Sequence, residues 1–209
     1  EKLDALLSYS ANDTSANCEP VIFDVNDKKA IEESAEKVSS LDTLILNAGD
    51  CQYIDDVMSF DADAFESIIN TNLSSLGGIL KYFLPKVKSG GTVVFVSSIA
   101  TVLPFSRTQA YGASKAGVDY LANSLRVDLR EKGIKVTLVH PGFIKTPLTD
   151  KNDFSMPFLM SSEQAAERIY RGVNAGKKYL HFPKRFTYLL KLIALLPSFI
   201  WLQVAKNRA

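Results

Sequence analysis

The 209-residue sequence predicts an α/β fold: a doubly wound parallel sheet in three αβα layers. Three observations lead there. Short β-branched runs alternate with stretches whose apolar residues recur at helical spacing. The run Thr92–Val96 is apolar at nearly every position, as a strand covered on both faces must be. Residues able to do chemistry follow the strands at one sheet edge, the side where open parallel sheets bind ligands.

In chain order, Val21-Ile22-Phe23 predicts a strand ending at Asp24. Asp27–Val38 predicts a helix with Ile31, Ala35 and Val38 at helical spacing. Thr43–Leu46 is a second buried strand, closed by Asn47-Ala48-Gly49. A helical region covers 62–87, weakened by Gly77-Gly78, and Gly90-Gly91 turns the chain into the strand Thr92–Val96. Tyr111–Lys132 is a long helix stopped by Gly133. Lys135–Val139 is a strand broken by Pro141-Gly142. Ser161 and Gln164 form a capping box for a helix through Asn174, and Tyr179–Phe182 is the last strand.

The size fits a single domain over 1–209, and the apolar (46%) and charged (22%) fractions are those of an ordinary globular chain. Net charge is +1, with Lys and Arg spread along the chain, so a nucleic-acid footprint is not expected. Cys18 and Cys51 make no disulfide framework, and with only His140 and His181 no metal site is expected. A charged start, Glu1-Lys2-Leu3-Asp4, gives no secretory signal, and a reducing cytoplasm is the expected compartment.

The apolar stretch Tyr188–Leu202 is shorter than the ~20 residues a membrane span needs and carries Lys191 and Pro197. A C-terminal helix, or a pair of short helices packed on the domain, is the first expectation for 185–209. The sharper one is a flap over a hydrophobic site or a peripheral membrane contact.

Tyr111 and Lys115 stand four residues apart at the start of a helix, hence on one face, one turn apart. A phenol ordinarily titrates near ~10, too high for good proton transfer at neutral pH. A neighbouring ammonium favours phenolate and would lower it. Alone, such a pair describes many solvated helix faces. Here Ser98 ends the strand before it, thirteen residues upstream of Tyr111, with Asn47-Ala48-Gly49 and Pro141-Gly142 ending the strands on either side.

With Asp24-Val25, Asn47-Ala48-Gly49, Asn72, Ser98, Tyr111 with Lys115, Pro141-Gly142 and Thr146 in this order, the chain resembles the short-chain dehydrogenase/reductase family. The match covers Val21 to Phe182. The resemblance implies a Rossmann-type fold and NAD or NADP as cofactor. It also implies hydride transfer between nicotinamide and a small carbonyl or alcohol substrate.

By that resemblance Tyr111 is the general acid/base, Lys115 lowers its pKa and holds the nicotinamide ribose, Ser98 positions the substrate oxygen, and Asn72 holds a relay water. Asp24 and Val25 meet the adenine. Asn47, Ala48 and Gly49 line the cofactor edge, with Asn47 also tying neighbouring strands. Ile144 and Thr146, after Pro141 and Gly142, stand beside the carboxamide and phosphates.

The same resemblance implies a mobile substrate loop over 148–162, whose Phe154, Met156, Phe158, Leu159 and Met160 suit a hydrophobic substrate. It further implies a homodimer or homotetramer paired through the long helices. His140 is expected to be structural or substrate-adjacent, and His181 to sit in the core or at the sheet rim.

One departure stands out. The chain opens on a helix-like segment, Glu1–Leu7, and no glycine precedes Gly49, so the family's Gly-rich phosphate loop is missing from the sequence as given. The expected fold is therefore N-terminally incomplete, with a gap beside the Asn47 strand and an extension expected upstream. The alternative is a non-catalytic scaffold or regulatory protein without a phosphate loop.

Overall fold

The computed structural model describes residues 19–206. The expected helix Glu1–Leu7 and Cys18 lie outside the described residues.

Helix α1 (Lys28–Glu36) begins where the Asp27 carboxylate accepts the amides of Lys29 and Ala30 at 2.9 and 3.1 Å, and it buries Ile31 and Ala35. Strand β1 (Leu41–Leu46) follows. The predicted helical region 62–87 is a composite. It comprises α2 (Ala62–Ile69), a π-helical turn over Asn70–Ser74, α3 (Ser75–Phe83) and a 3₁₀ turn at Leu84–Lys86.

Strand β2 runs Val87–Val96, so Val87 belongs to the sheet and not to the helix. It pairs with Leu41, after which the register shifts before Thr43 meets Thr92. The residues between carry Gly90 at φ 86 and Gly91, where any Cβ would lie 2.8 Å from the Lys88 carbonyl oxygen and 2.9 Å from that of Asp42. Helix α4 (Gln109–Asp128), strand β3 (Lys135–Pro141), helix α5 (Ser162–Asn174) and strand β4 (Tyr179–Phe182) complete the alternation. Ser161 caps α5 as expected, its Oγ accepting the Gln164 amide at 3.2 Å. The apolar C-terminus forms a pair of short helices, α6 (Lys184–Ala194) and α7 (Ser198–Lys206).

The four strands among the described residues are parallel in the order β1-β2-β3-β4. Parallel neighbours need crossovers, and each crossover here is helical. Alternate residues of β2 feed opposite faces. Val93 and Phe95 pack with Ile31, Leu76 and Val118 of α1, α3 and α4, whereas Val94 packs with Val139, Leu180 and Ala165 of α5. The sheet is thus covered on both sides, and the doubly wound expectation holds. A third cluster, Ile99, Leu103, Phe186, Leu190 and Trp201, docks α6 and α7 beyond the sheet end.

Val21-Ile22-Phe23 forms no strand, contrary to expectation. A strand needs a hydrogen-bonding neighbour. Between this segment and β1 lies an apolar cleft of about 210 Å³, lined by Phe23, Val25, Leu44, Leu46 and Phe83. Phe23 instead stacks on Phe83, centroids 6.5 Å apart.

Candidate active site

The ends of β1, β2 and β3 and the first turns of α4 converge on one rim. β2 delivers Ser97 and Ser98, both buried. Ser97 is structural: its amide donates to the Val139 carbonyl at 2.9 Å and its hydroxyl to the Lys115 carbonyl at 3.2 Å. Ser98 caps the 3₁₀ turn Ile99–Thr101 by accepting the Ala100 amide at 3.1 Å, which fixes the direction of its Oγ.

Helix α4 places Tyr111, Ser114 and Lys115 on successive positions of the face turned to this rim. Lys115 is 5% exposed; its ammonium donates to the Val96 carbonyl at 3.0 Å and lies 5.9 Å from the Tyr111 ring centroid. Burial drops the Lys115 ammonium to about 8, with the charges of Asp119 and Cys51 pulling it back up. The expected lowering of the Tyr111 phenol by Lys115 is not what this arrangement gives. Burial pushes the phenol up to about 12, against a downward pull from the Ser98 hydroxyl, and Cys51 raises it further. Desolvation of the buried phenol is the largest of these causes.

Asn72, 1% exposed in the π-helical turn, is a clamp. Its Oδ1 accepts the Asp50 amide at 2.7 Å, while its Nδ2 donates to the Asp50 carbonyl and to Ser114 Oγ, both at 2.9 Å. Ser114 in turn donates to the Tyr111 carbonyl at 2.8 Å. The loop after β1 is thereby tied to α4 through one fully bonded amide. A Cβ on Gly49 would come within 3.3 Å of both Asn72 Oδ1 and Lys115 Nζ, so the loop passes close over the site.

The remaining expected residues divide. Val25, Asn47 and Ala48 line the cleft beside β1. Gly49, next in the chain, brings this edge to Lys115 Nζ, so an apolar wall and an N–H donor together suit the nucleoside part of a nucleotide. Asp24 is exposed and caps its own turn, accepting the Asn26 amide at 2.8 Å. Asn47 makes no strand-tying side-chain hydrogen bond among the described residues, because no strand lies on that side of β1 among them. Gly142 is closely packed: a Cβ there would sit 3.1 Å from both Phe186 and Pro183. Ile144 bridges to Met160, and Thr146 shares a hydrogen-bonded turn with Thr149, whose Oγ1 accepts the Thr146 amide at 2.9 Å.

Residue types and spacing did not point to several neighbours. Cys51 lies within the field of Lys115 and Tyr111, and burial raises its thiol to about 11. Tyr53 donates to Asn152 at 2.7 Å and packs edge-on against Phe154 at 6.0 Å, joining the loop after β1 to the segment after β3. Their one sequence signal is position, two and four residues past Gly49. His140 is structural: its Nε2 meets Asp119 and its Nδ1 meets the Tyr179 hydroxyl, each at 2.9 Å. His181 is in the core, with Nδ1 2.6 Å from Thr187 Oγ1.

Comparisons with known proteins agree with the fold. A family model described as short chain dehydrogenase matches residues 1–155. An uncharacterized oxidoreductase of Myxococcus xanthus is 32% identical over 198 residues, covering 92% of this chain and 78% of the relative. Serine 3-dehydrogenase of Agrobacterium fabrum is 28% identical over 159 residues, 74% of this chain and 61% of the relative. Among solved structures, a short chain dehydrogenase of Burkholderia cenocepacia in complex with NADP superimposes with a TM-score of 0.73 at 22% identity, covering 84% of this chain and 72% of that one.

Proposed function

The chain belongs to the short-chain dehydrogenase family, and from that premise we propose that it is an NAD(P)-dependent oxidoreductase acting on a hydrophobic carbonyl or alcohol. The observation that carries this reading is the meeting of Ser98, Tyr111 and Lys115 at one strand end, braced by Asn72. The cofactor, when bound, supplies or accepts the hydride.

Every other part falls to the chain. In reduction, the Ser98 hydroxyl donates a hydrogen bond to the substrate carbonyl oxygen, and Tyr111 gives that oxygen its phenolic proton. A phenol raised to about 12 keeps its proton at neutral pH but gives it up less readily than an ordinary phenol, so transfer relies on the Ser98 hydroxyl, which pulls the phenol down. Lys115 faces the nucleotide edge lined by Val25, Asn47, Ala48 and Gly49, where the donors not used on Val96 suit ribose hydroxyls. Asn72 acts as a positioning residue, holding the loop after β1 against α4. Ile144 and Thr146 border the far side of the same rim.

The segment 148–162 is the proposed substrate loop, and its Phe154 (40% exposed), Phe158 (50%) and Leu159 (44%) support an apolar substrate. Tyr120 and Val127, exposed on α4, support pairing of this helix with a second copy. No helix among the described residues is long and apolar enough to cross a membrane.

Tyr111→Phe tests the assignment. The variant is expected to bind NADH or NADPH as the parent does, followed by cofactor fluorescence. Its turnover of a carbonyl panel should fall by at least about 100-fold. Undiminished turnover would overturn the role of Tyr111.

A further inference from the structure

The acidic and basic residues are not distributed alike. All 23 Asp and Glu lie at or before Glu167, whereas nine of the 24 Lys and Arg follow it. The last 42 residues therefore carry cations and no acid, and they include α6 and α7. Both helices are apolar beyond what their packing uses. α6 buries Phe186, Thr187 and Leu190, yet its opposite side presents Tyr188, Leu189 and Leu192, followed by Leu195 at 82% exposure and Leu196. On α7, Phe199 (66%) and Leu202 (59%) continue the surface. A helix settled between core and water keeps its exposed side polar, whereas here large apolar side chains stand exposed beside the cations Lys184 and Arg185.

Cations rim this surface. Lys184 and Arg185 open α6, and both are exposed. Lys184 is held below the ordinary lysine range by partial burial first, then by the like charges of Lys177 and Arg168. Cations thus stand on α5, on the turn after it and at the start of α6, where Lys184 Nζ lies 3.0 Å from His181 Nε2, and on α5 Arg171 meets an acid, Glu167.

We propose that the α6–α7 face docks on an anionic lipid surface, with its leucines and Phe199 at the acyl boundary and its cation rim among the headgroups. With 11 and 9 residues, α6 and α7 lie on the bilayer and do not cross it. A second copy of this face is the poorer occupant, because self-pairing brings like charges together. The inference is independent of the oxidoreductase reading.

Co-sedimentation of the full chain with vesicles tests it. Vesicles of phosphatidylglycerol and phosphatidylcholine in equal parts should pellet the protein at least about tenfold better than phosphatidylcholine alone. The double variant Leu195→Glu, Phe199→Glu should keep its melting temperature and Trp201 emission, as both side chains are exposed, and should lose that binding. Lys184→Gln with Arg185→Gln should erase the preference for the anionic vesicles. The proposal is overturned if the parent does not pellet with anionic vesicles, or if the double variant pellets as the parent does. It is also overturned if the parent is a dimer that ignores vesicles and the double variant is a monomer.

Discussion

Lys115, a proposed site residue, opposes the fold that carries it. Its ammonium is buried against one carbonyl, and the group titrates at about 8 instead of 10.5. Below pH 8 the folded state holds a charge it solvates poorly, while the unfolded chain holds the same charge in water. Between pH 8 and 10.5 the folded state has released the proton and the unfolded chain has not, so stability rises with pH across that window. Lys115→Met should therefore be more stable than the parent at neutral pH by about 1–3 kcal/mol, after the lost bond to Val96 is counted. Denaturant titrations at pH 7 and pH 10 check it, and an advantage that does not shrink at high pH refutes the cause. Tyr111 and Lys115 were legible from spacing because helix geometry forces residues four apart onto one face. The direction of the Tyr111 shift was not legible, because it depends on burial contributed by elements distant in sequence.

At the level of elements, the site depends on β2 arriving at Ser98 in register. That register is set at its far end, where β2 departs from regular pairing beside Gly90 and Gly91. Gly91→Ala places a methyl group against two backbone carbonyls at 2.8 and 2.9 Å, and backbone cannot step aside as a side-chain tip can. The substitution should cost about 1–3 kcal/mol, measured as a lowered denaturation midpoint. A neutral result would mean that the irregular start of the strand is pliable. The Gly-Gly pair was legible as a turn. The extension of the strand back to Val87 was not, since pairing with Leu41 is a long-range contact that no local pattern carries.

At the scale of the molecule, the alternation of strands and helices and the order of the motifs were legible. Both follow from local periodicity and from where strands end. The strand expected at Val21–Phe23 failed because β propensity cannot stand without a neighbour. The clamp of Asn72 through Ser114, and the Asp119–His140–Tyr179 chain, join positions tens of residues apart and leave no trace in spacing. Another such junction is Trp201, whose indole N–H donates to the Pro104 carbonyl and whose ring meets Phe105 edge-on at 5.4 Å. Pro104 and Phe105 lie on the stretch between Ser98 and Tyr111, so α7 holds down the segment joining the two. Trp201→Phe removes the hydrogen bond and part of the buried ring, and should lower stability by at least about 1 kcal/mol in a circular-dichroism melt. An unchanged melt would mean that the ring alone anchors α7.

Because the chain contains one tryptophan, its ultraviolet emission has a single origin, this buried junction. A red shift on heating or on adding denaturant would mark the moment α7 lifts from the Pro104 segment. Circular dichroism of the helices would follow the rest of the fold. Comparing the two midpoints times the release of the C-terminal helix against the melting of the sheet, with no label attached.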